Sequence, residues 1–308
     1  MGIEKKCNLC GSMSSRFLFY GQDRLHKVDK KTFKIEKCLN CGLVFLSSPP
    51  SSAELKKYYP SDYGPYQDGD NPLKYGAVSR ALKSLFLHLK QKWLHPKIQD
   101  KKDETVFNLL DLGCGSGNFL EKMKRLYPNW RLAGFDNSET ACVHTRSKGF
   151  EVWGGDFMEA DLPKGYFDII NLSHVIEHLD NPKEALSKIS SLLKPEGKII
   201  ITTPNFDSLS SMVFKKYWFA LEAPRHLFIF SPKNIYRLLS EAGFSDIHIV
   251  FDPDVRVAIK SLNYLFDRQD MRINFFIWHL LWAIFKPIGW GLSFVGKTSI
   301  MIISAKKA

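Results

Sequence analysis

The amino terminus carries no apolar run: MGIEKKCNLC passes from charges straight to a cysteine pair, where a secretory signal needs about 7 to 15 consecutive apolar residues. The expected location is therefore the cytoplasm. A glycine follows Met1, but Lys6 stands where a myristoylation signal needs Ser or Thr, which excludes that lipid anchor. Acidic residues are in deficit, 32 against 43 Lys and Arg, for a formal charge of +11. Such a surface favours polyanions, whether nucleic acid, anionic lipid headgroups or phosphorylated small molecules. A disorder-type composition is absent too. Of 308 residues 44% are hydrophobic and 13% aromatic, enough for a full α/β core and one small satellite domain.

Cysteine is scarce, six residues in all, yet four of them form two matched pairs, Cys7 with Cys10 in CNLCG and Cys38 with Cys41 in CLNCG. Two intervening residues let both thiolates of a tight knuckle face one ion, and the glycine after each pair permits the turn. Two disulfides are the alternative, but a reducing compartment opposes them. The expectation is a structural zinc, since four thiolates leave no position open for water. Between the knuckles, RFLFYGQDRLHKV and TFKIEKC alternate like short strands. The chain divides into a zinc-ribbon β domain at 1–48, a linker with cap helices at 49–103, and an α/β domain at 104–308 with an apolar helical insertion at about 254–296. Tyr58, Tyr59, Tyr63 and Tyr66 in the linker can cover a ligand or pack over the domain junction. Val78, Leu82, Leu85, Phe86, Leu89 and Trp93 follow at helical spacing, suited to core packing or to a membrane surface.

The stretch LLDLGCGSGNFL, Leu109 to Leu120, joins a buried-strand pattern to a helical one. It lacks the Gly-Lys-Ser/Thr ending of a phosphate loop, and Asn118 replaces the third glycine of a dinucleotide fingerprint. What remains is Asp111 followed by Gly113, Gly115 and Gly117. This spacing resembles motif I of the class I S-adenosylmethionine-dependent methyltransferases. The resemblance implies that the glycine turn approaches the methionine portion of that cofactor, with Asp111 positioning its ammonium group.

The segments that follow carry the resemblance further. RLAGFD ends in Asp136, whose two carboxylate oxygens suit the two hydroxyls of a ribose, with Asn137 beside it. FEVWGGDFME places Asp156 and Phe157 where the family holds the adenine amino group and ring. YFDIINLSHVIEHLDNP supplies Ser173 after a further strand. The implied fold is a doubly wound, seven-stranded, mostly parallel α/β sheet, Rossmann-like, whose last strand, SIMIISAKK, is antiparallel. Asp136 and Asp156 can also act as plain caps, and Cys114 and Cys142 read as core thiols. EAPRHLFIFSPKNIYRLLSEAGF, Glu222 to Phe244, is similar to a segment of a bacterial subgroup related to the ubiquinone-biosynthesis methyltransferases, in which paired knuckles also occur. That subgroup implies sugars, quinones or lipid-linked glycans as acceptors, although a fold does not by itself give a substrate.

Methyl transfer requires alignment of the acceptor, and a base only where the acceptor must lose a proton. The candidates are His174, Glu177 and His178 in SHVIEHL and His226 in PRHL, with Arg225 placed to hold an anionic or hydroxyl-rich acceptor. On a helix His174 and His178 share a face, which allows a common site or a metal pair. Burial of His178 as a hydrogen-bonded structural residue is the alternative. Ile273 to Val295 has one charge, Lys286, and approaches spanning length. A last strand that returns to the sheet excludes a single span. Two in-plane interfacial helices breaking at Lys286–Pro287, a lid over the acceptor pocket, or a dimer contact remain, and Trp278, Trp282 and Trp290 suit a headgroup interface. The leading expectation is O-methylation of an amphipathic small-molecule or lipid-linked acceptor, at the cytoplasmic face of the inner membrane. An RNA methyltransferase that holds nucleic acid with its ribbon, and a cofactor-binding scaffold without turnover, are the other readings. The sequence sets no oligomeric state.

Overall fold

The computed structural model describes residues 6–60, 106–266 and 275–308. The expected cap helix, Tyr63 and Tyr66 lie outside the described residues, as does the Trp278 side chain. The small sheet starts with β1 (Ser15–Gln22), β2 (Thr32–Cys38) and β3 (Val44–Leu46), paired antiparallel in that order. Along β2, buried Phe33 and Ile35 alternate with exposed Thr32 and Lys34, as in any strand with one wet face. A capping box opens the short helix α1 (Ser52–Leu55): the Ser51 hydroxyl accepts from the Glu54 N–H, and Glu54 accepts from that of Ser51.

The large sheet begins with β4 (Asn108–Leu112), buried along its whole length as a central parallel strand must be. Helix α2 (Asn118–Leu126), β5 (Arg131–Asp136), α3 (Glu139–Ser147), β6 (Glu151–Gly154), β7 (Phe167–Ser173), α4 (Pro182–Leu192) and β8 (Leu193–Pro204) follow. Asn181 caps α4, with Pro182 in its first turn, where a missing N–H costs nothing. Beyond β8 lie α5 (Leu209–Phe214), the two-residue strand β9 (Phe228–Ile229), α6 (Pro232–Glu241), β10 (Phe244–Asp252), α7 (Arg256–Leu265), α8 (Phe275–Phe294) and β11 (Ile300–Lys307). The strand order is β10-β11-β8-β7-β4-β5-β6, with β11 antiparallel to both neighbours and β4 to β8 parallel. The fold class therefore agrees with the expectation, antiparallel last strand included.

Between β7 and β4 the order of crossover reverses, and at such a point the carboxyl ends of the strands open a crevice. Register fixes what lines it. Gly154 lies beside Asp136, Leu112 between Phe135 and Leu172, and Ser173 beside Thr202.

The ribbon does not close its own sheet. β9 pairs with β3, Val44 against Ile229 and Phe45 against Phe228. One apolar core runs from Cys7, Leu9 and Phe45 through Phe228 and Phe230 to Leu110, Leu172 and Ile201 of the large sheet.

The expected break at Lys286–Pro287 does not occur: α8 continues through Pro287 as one helix of 20 residues. Pro287 removes one ladder bond, but tertiary contacts hold the next turn. Gly289 lies so close to the 253–255 segment that a Cβ there would stand 2.5 Å from the Pro253 carbonyl oxygen, which also accepts from Lys286 Nζ at 3.4 Å. Among the described residues no helix is long and apolar enough to cross a membrane.

Candidate active site

Past β4 the chain turns through Gly113, Gly115 and Gly117 at φ +78°, +53° and +76°, a region that L side chains avoid. Space is equally tight. A Cβ on Gly113 would stand 2.5 Å from Val175 Cγ2, and one on Gly117 2.9 Å from Thr145 Cγ2. The Gly113 and Cys114 N–H groups donate to the Phe135 carbonyl, the Gly115 N–H donates to Asp136 Oδ2 at 2.9 Å, and the Thr145 hydroxyl donates to the Gly115 carbonyl at 2.8 Å. These bonds tie the turn to β5 and α3.

Asp111 is buried between β5 and β7, and the Asn171 amide donates to its Oδ1 at 2.7 Å. Burial pushes its carboxyl up to about 7 against the pull of that hydrogen bond, and the nearby Asp136 adds to the rise. Burial also raises Asp136, while the N–H groups of Ser138, Gly115 and Asn137 oppose it. Asn137, Ser173 and Asp156 are exposed around the crevice, Asp156 accepting from the Met158 N–H at 2.8 Å. The Phe157 ring faces the core, 5.4 Å from Phe135 in an edge contact.

The acceptor-side residues come together, but not on a helix face. His174 has φ +56°, and only Ile176–His178 form a single 3-10 turn. That backbone reversal points the half-exposed His174 at Glu177, with Nδ1 3.1 Å from Oε1. Glu177 is fully buried and accepts from the Thr203 hydroxyl at 2.9 Å. Burial alone would raise Glu177, but the His174 hydrogen bond and the charges of His174, His226 and His178 hold it at about 2. His178 faces the other way, its Nδ1 3.0 Å from the Arg225 carbonyl and 2.9 Å from the Tyr59 hydroxyl. Burial, then the charge of His226, pull His178 down to about 4, so it is neutral near pH 7. His226 Nδ1 lies 2.9 Å from the Ala220 carbonyl, and its Nε2 stands 3.9 Å from Glu177 and 3.8 Å from Glu222. Glu177, His178 and His226 each bring a ligand atom within 4.8 Å of the others, a donor set that can relay a proton or hold a divalent cation.

Arg225 does not reach an acceptor. It is fully buried and donates to Asp23 at 2.9 Å, to Glu222 at 2.9 Å and to the Tyr58 carbonyl at 3.0 Å. A guanidinium in a dry interior must be paired, and Arg225 uses its donors to tie the ribbon and linker to the segment that carries Glu222 and His226. Asp23 and Thr203 carry no motif that sequence reasoning could have found, and Glu222, though it opens the EAPRHL segment, is not singled out by it. Asn171, a lone polar residue in the apolar run of β7, is the one available signal.

The four cysteines of the knuckles also meet. Cys7 and Cys41 Sγ are 3.5 Å apart, Cys10 and Cys38 Sγ 3.6 Å, and all four lie within 4.8 Å of one another. Tetrahedral thiolates at ~2.3 Å from a zinc would stand about 3.8 Å apart, so this donor set fits that ion. Gly11 and Gly42, at φ +72° and +78°, donate back to the Cys7 and Cys38 carbonyls and close each knuckle.

A doubly wound sheet with a glycine turn after its central strand and acidic residues along its carboxyl edge defines the class I S-adenosylmethionine-dependent methyltransferase fold. The methyltransferase domain family matches residues 78–249, and the chain belongs to that family. It is 28% identical over 176 residues to a malonyl-[acyl-carrier protein] O-methyltransferase of Paenibacillus, covering 52% of this chain and 63% of the relative. It is 35% identical over 117 residues to a ubiquinone biosynthesis O-methyltransferase of a Caulobacter species, covering 35% of this chain and 46% of the relative. The chain thus spans less than two thirds of the length of either curated relative. Among solved structures, geranyl diphosphate C-methyltransferase from Streptomyces coelicolor A3(2) superposes with a TM-score of 0.51 at 14% identity, covering 85% of this chain and 86% of that one. At that identity the likeness is one of fold.

Proposed function

We propose that the chain transfers the methyl group of S-adenosylmethionine to an oxygen of an amphipathic small-molecule or lipid-linked acceptor, with His174 as general base. The observation that carries this reading is the His174–Glu177 pair at the carboxyl edge of β7, next to the glycine turn. When bound, the cofactor supplies an electrophilic methyl group on a sulfonium. Asp111 would attract its ammonium group, Asp136 would accept from its ribose hydroxyls and Asp156 from its adenine amino group, and the Gly113–Gly117 turn leaves room for its methionine portion. Glu177 takes the Nδ1–H of His174, which leaves Nε2 as the acceptor nitrogen of that tautomer. The acceptor hydroxyl would pass its proton to Nε2 as its oxygen takes the methyl group and the S–CH3 bond breaks to leave a neutral thioether, and Glu177 would stabilise the imidazolium that results. The left-handed backbone of His174 costs roughly 1–2 kcal/mol, a strain that is retained where it aims a functional group.

The O-methyltransferase names of the two curated relatives support an oxygen acceptor. The four-cysteine cluster is inferred to hold a structural zinc. Exposed Ile284, Ile288, Phe294 and Val295 on and just after α8 support peripheral contact with a membrane face through residues 273–295.

Calorimetric titration with S-adenosylmethionine, followed by transfer of labelled methyl to lipid-linked, quinone and sugar acceptors, tests this reading. Asp136→Ala should lose cofactor binding. His174→Ala should bind cofactor as wild type does and lose turnover by ~10²–10⁴-fold, the share a general base supplies. Unchanged turnover in His174→Ala would discard the base assignment, and no binding by folded wild type would discard the transferase reading.

A further inference from the structure

α5, α7 and the second half of α8 line a half-open cavity of about 220 Å³. Its wall is almost wholly apolar, with Val213 and Phe214 from α5, Ala258 and Leu262 from α7, and Phe285 and Leu292 from α8. Apart from Lys297, the polar side chains on the wall have partners. Ser210 and Ser299 hydroxyls meet at 2.6 Å, the Trp218 indole N–H donates to Ser210 at 3.0 Å, and Asp254 is paired with Arg256. An occupant therefore needs no hydrogen-bonding groups of its own, and water would gain little there. The volume falls below the ~300–1,000 Å³ of pockets that take a whole drug-sized ligand. It suits the end of a chain.

Position in the fold says which chain. β8 carries Thr203, which bonds Glu177, and five residues further on Ser208 caps α5, whose residues form the cavity wall. The segment between is pinned, since the Asn205 side chain donates to the Gly296 and Thr298 carbonyls. One short, rigid connection thus joins the proposed base to the cavity at the carboxyl edge of the sheet, the side on which an acceptor meets the cofactor. Lys297 stands in the wall and Lys260 lies on α7, and with Asp254 and Arg256 offsetting each other the surroundings keep a positive balance, complementary to an anionic or strongly polar head. Exposed Leu209, Val213 and Ile288 give an apolar approach from outside.

We propose that this cavity is the tail subsite of the methyl acceptor, taking the end of an acyl or prenyl hydrocarbon chain while the polar head carries its hydroxyl to His174. The proposal rests on the acceptor reading above and narrows it to molecules with such a chain.

Binding of cis-parinaric acid to the zinc-loaded full chain, read by fluorescence and by displacement with farnesol, tests it beside a titration with S-adenosylmethionine. Wild type should bind the probe and release it to farnesol. Ala258→Leu and Ala258→Trp, which fill the cavity in two steps, should weaken probe binding progressively, tenfold or more for Trp (about 1.4 kcal/mol), with cofactor affinity unchanged. Phe294→Ser, on the exposed face, should leave probe binding intact. Loss of binding in Phe294→Ser with retention in both Ala258 variants would overturn the proposal in favour of adsorption to an apolar surface. No probe binding by wild type that still binds cofactor would overturn it too, and would leave the methyl-transfer reading standing. Failure of cofactor binding in every form, with probe binding and its Ala258 dependence intact, would instead sink the transferase reading and with it the methyl-acceptor role of the cavity, leaving only a hydrocarbon-binding site.

Discussion

Asp111 is a carboxylate placed where burial opposes its charge, and its neighbour Asn171 offsets that penalty only in part. With the carboxyl raised from 3.8 to about 7, much of the cofactor-free protein carries it protonated just below neutrality. A ligand ammonium favours the charged form. Binding of S-adenosylmethionine should then release a proton, and affinity should climb as pH rises from about 6 to about 8. Calorimetry in buffers of different ionisation enthalpy measures that release, and Asp111→Asn should flatten both the release and the pH dependence. The linkage to folding has the opposite sense. A folded value above the unfolded one adds stability that is fully present below 3.8 and is lost as pH rises through about 7. A cofactor-free protein whose stability rises across that window in wild type but not in Asp111→Asn would contradict this account.

The glycine turn is the element on which the cofactor site depends most directly, and its failure should be local. At Gly113 a methyl group meets both a left-handed backbone and Val175 Cγ2. Gly113→Ala should weaken cofactor binding by roughly tenfold or more, from ~1–2 kcal/mol of backbone strain plus the displacement of Val175, while circular dichroism stays that of wild type. Equal cofactor affinity would mean that the turn does not approach the ligand. This turn and the two cysteine knuckles are legible in the sequence because residues adjacent in the chain determine each of them, whereas the antiparallel direction of β11 is implied by the family resemblance alone. The His174–Glu177 pair is not legible. Helical spacing over SHVIEHL joins His174 to His178, whereas the left-handed His174 backbone gives it Glu177 instead and leaves His178 to Tyr59 and Arg225. β9 has only two residues, too few for any periodicity, and becomes a strand only by pairing with β3. Continuity of α8 through Pro287 likewise depends on a contact with Pro253, a tertiary fact that local propensity does not contain.

Across the described residues, the polar ties of the ribbon run to the segments around Glu177, Arg225 and α6, the proposed acceptor side, while its apolar core reaches β4 as well. Asp23 pairs with Arg225, the Asn8 amide donates to the Asp180 carbonyl, Asn234 donates to the Cys41 carbonyl, and from the linker that follows the ribbon the Tyr59 hydroxyl meets His178. β9 and the shared core bind the same two parts together. The residues proposed to hold the cofactor, Asp111, Gly113, Gly115, Gly117 and Asp136, belong to β4, β5 and the turn between β4 and α2, on the other side of the reversal in strand order. A metal that braces the ribbon should therefore govern acceptor turnover more than cofactor affinity. Serine at both Cys10 and Cys41 removes two thiolates of the knuckle cluster without touching Glu177, His178 or His226, which a chelator would not spare if those residues also held an ion. Metal analysis should find about one zinc per wild-type chain and none in the double variant, since four thiolates form a closed site. Calorimetric unfolding should show a single transition in wild type, as a continuous core requires, and a lower midpoint in the variant, because the free energy of metal binding is part of the free energy of folding. With the ribbon loosened, Arg225 loses the order of its Asp23 partner and His178 that of Tyr59, so methyl transfer should fall while titration with S-adenosylmethionine still gives wild-type affinity. Loss of cofactor binding in step with turnover would show that the ribbon supports the whole sheet, and wild-type turnover without zinc would show that it supports neither.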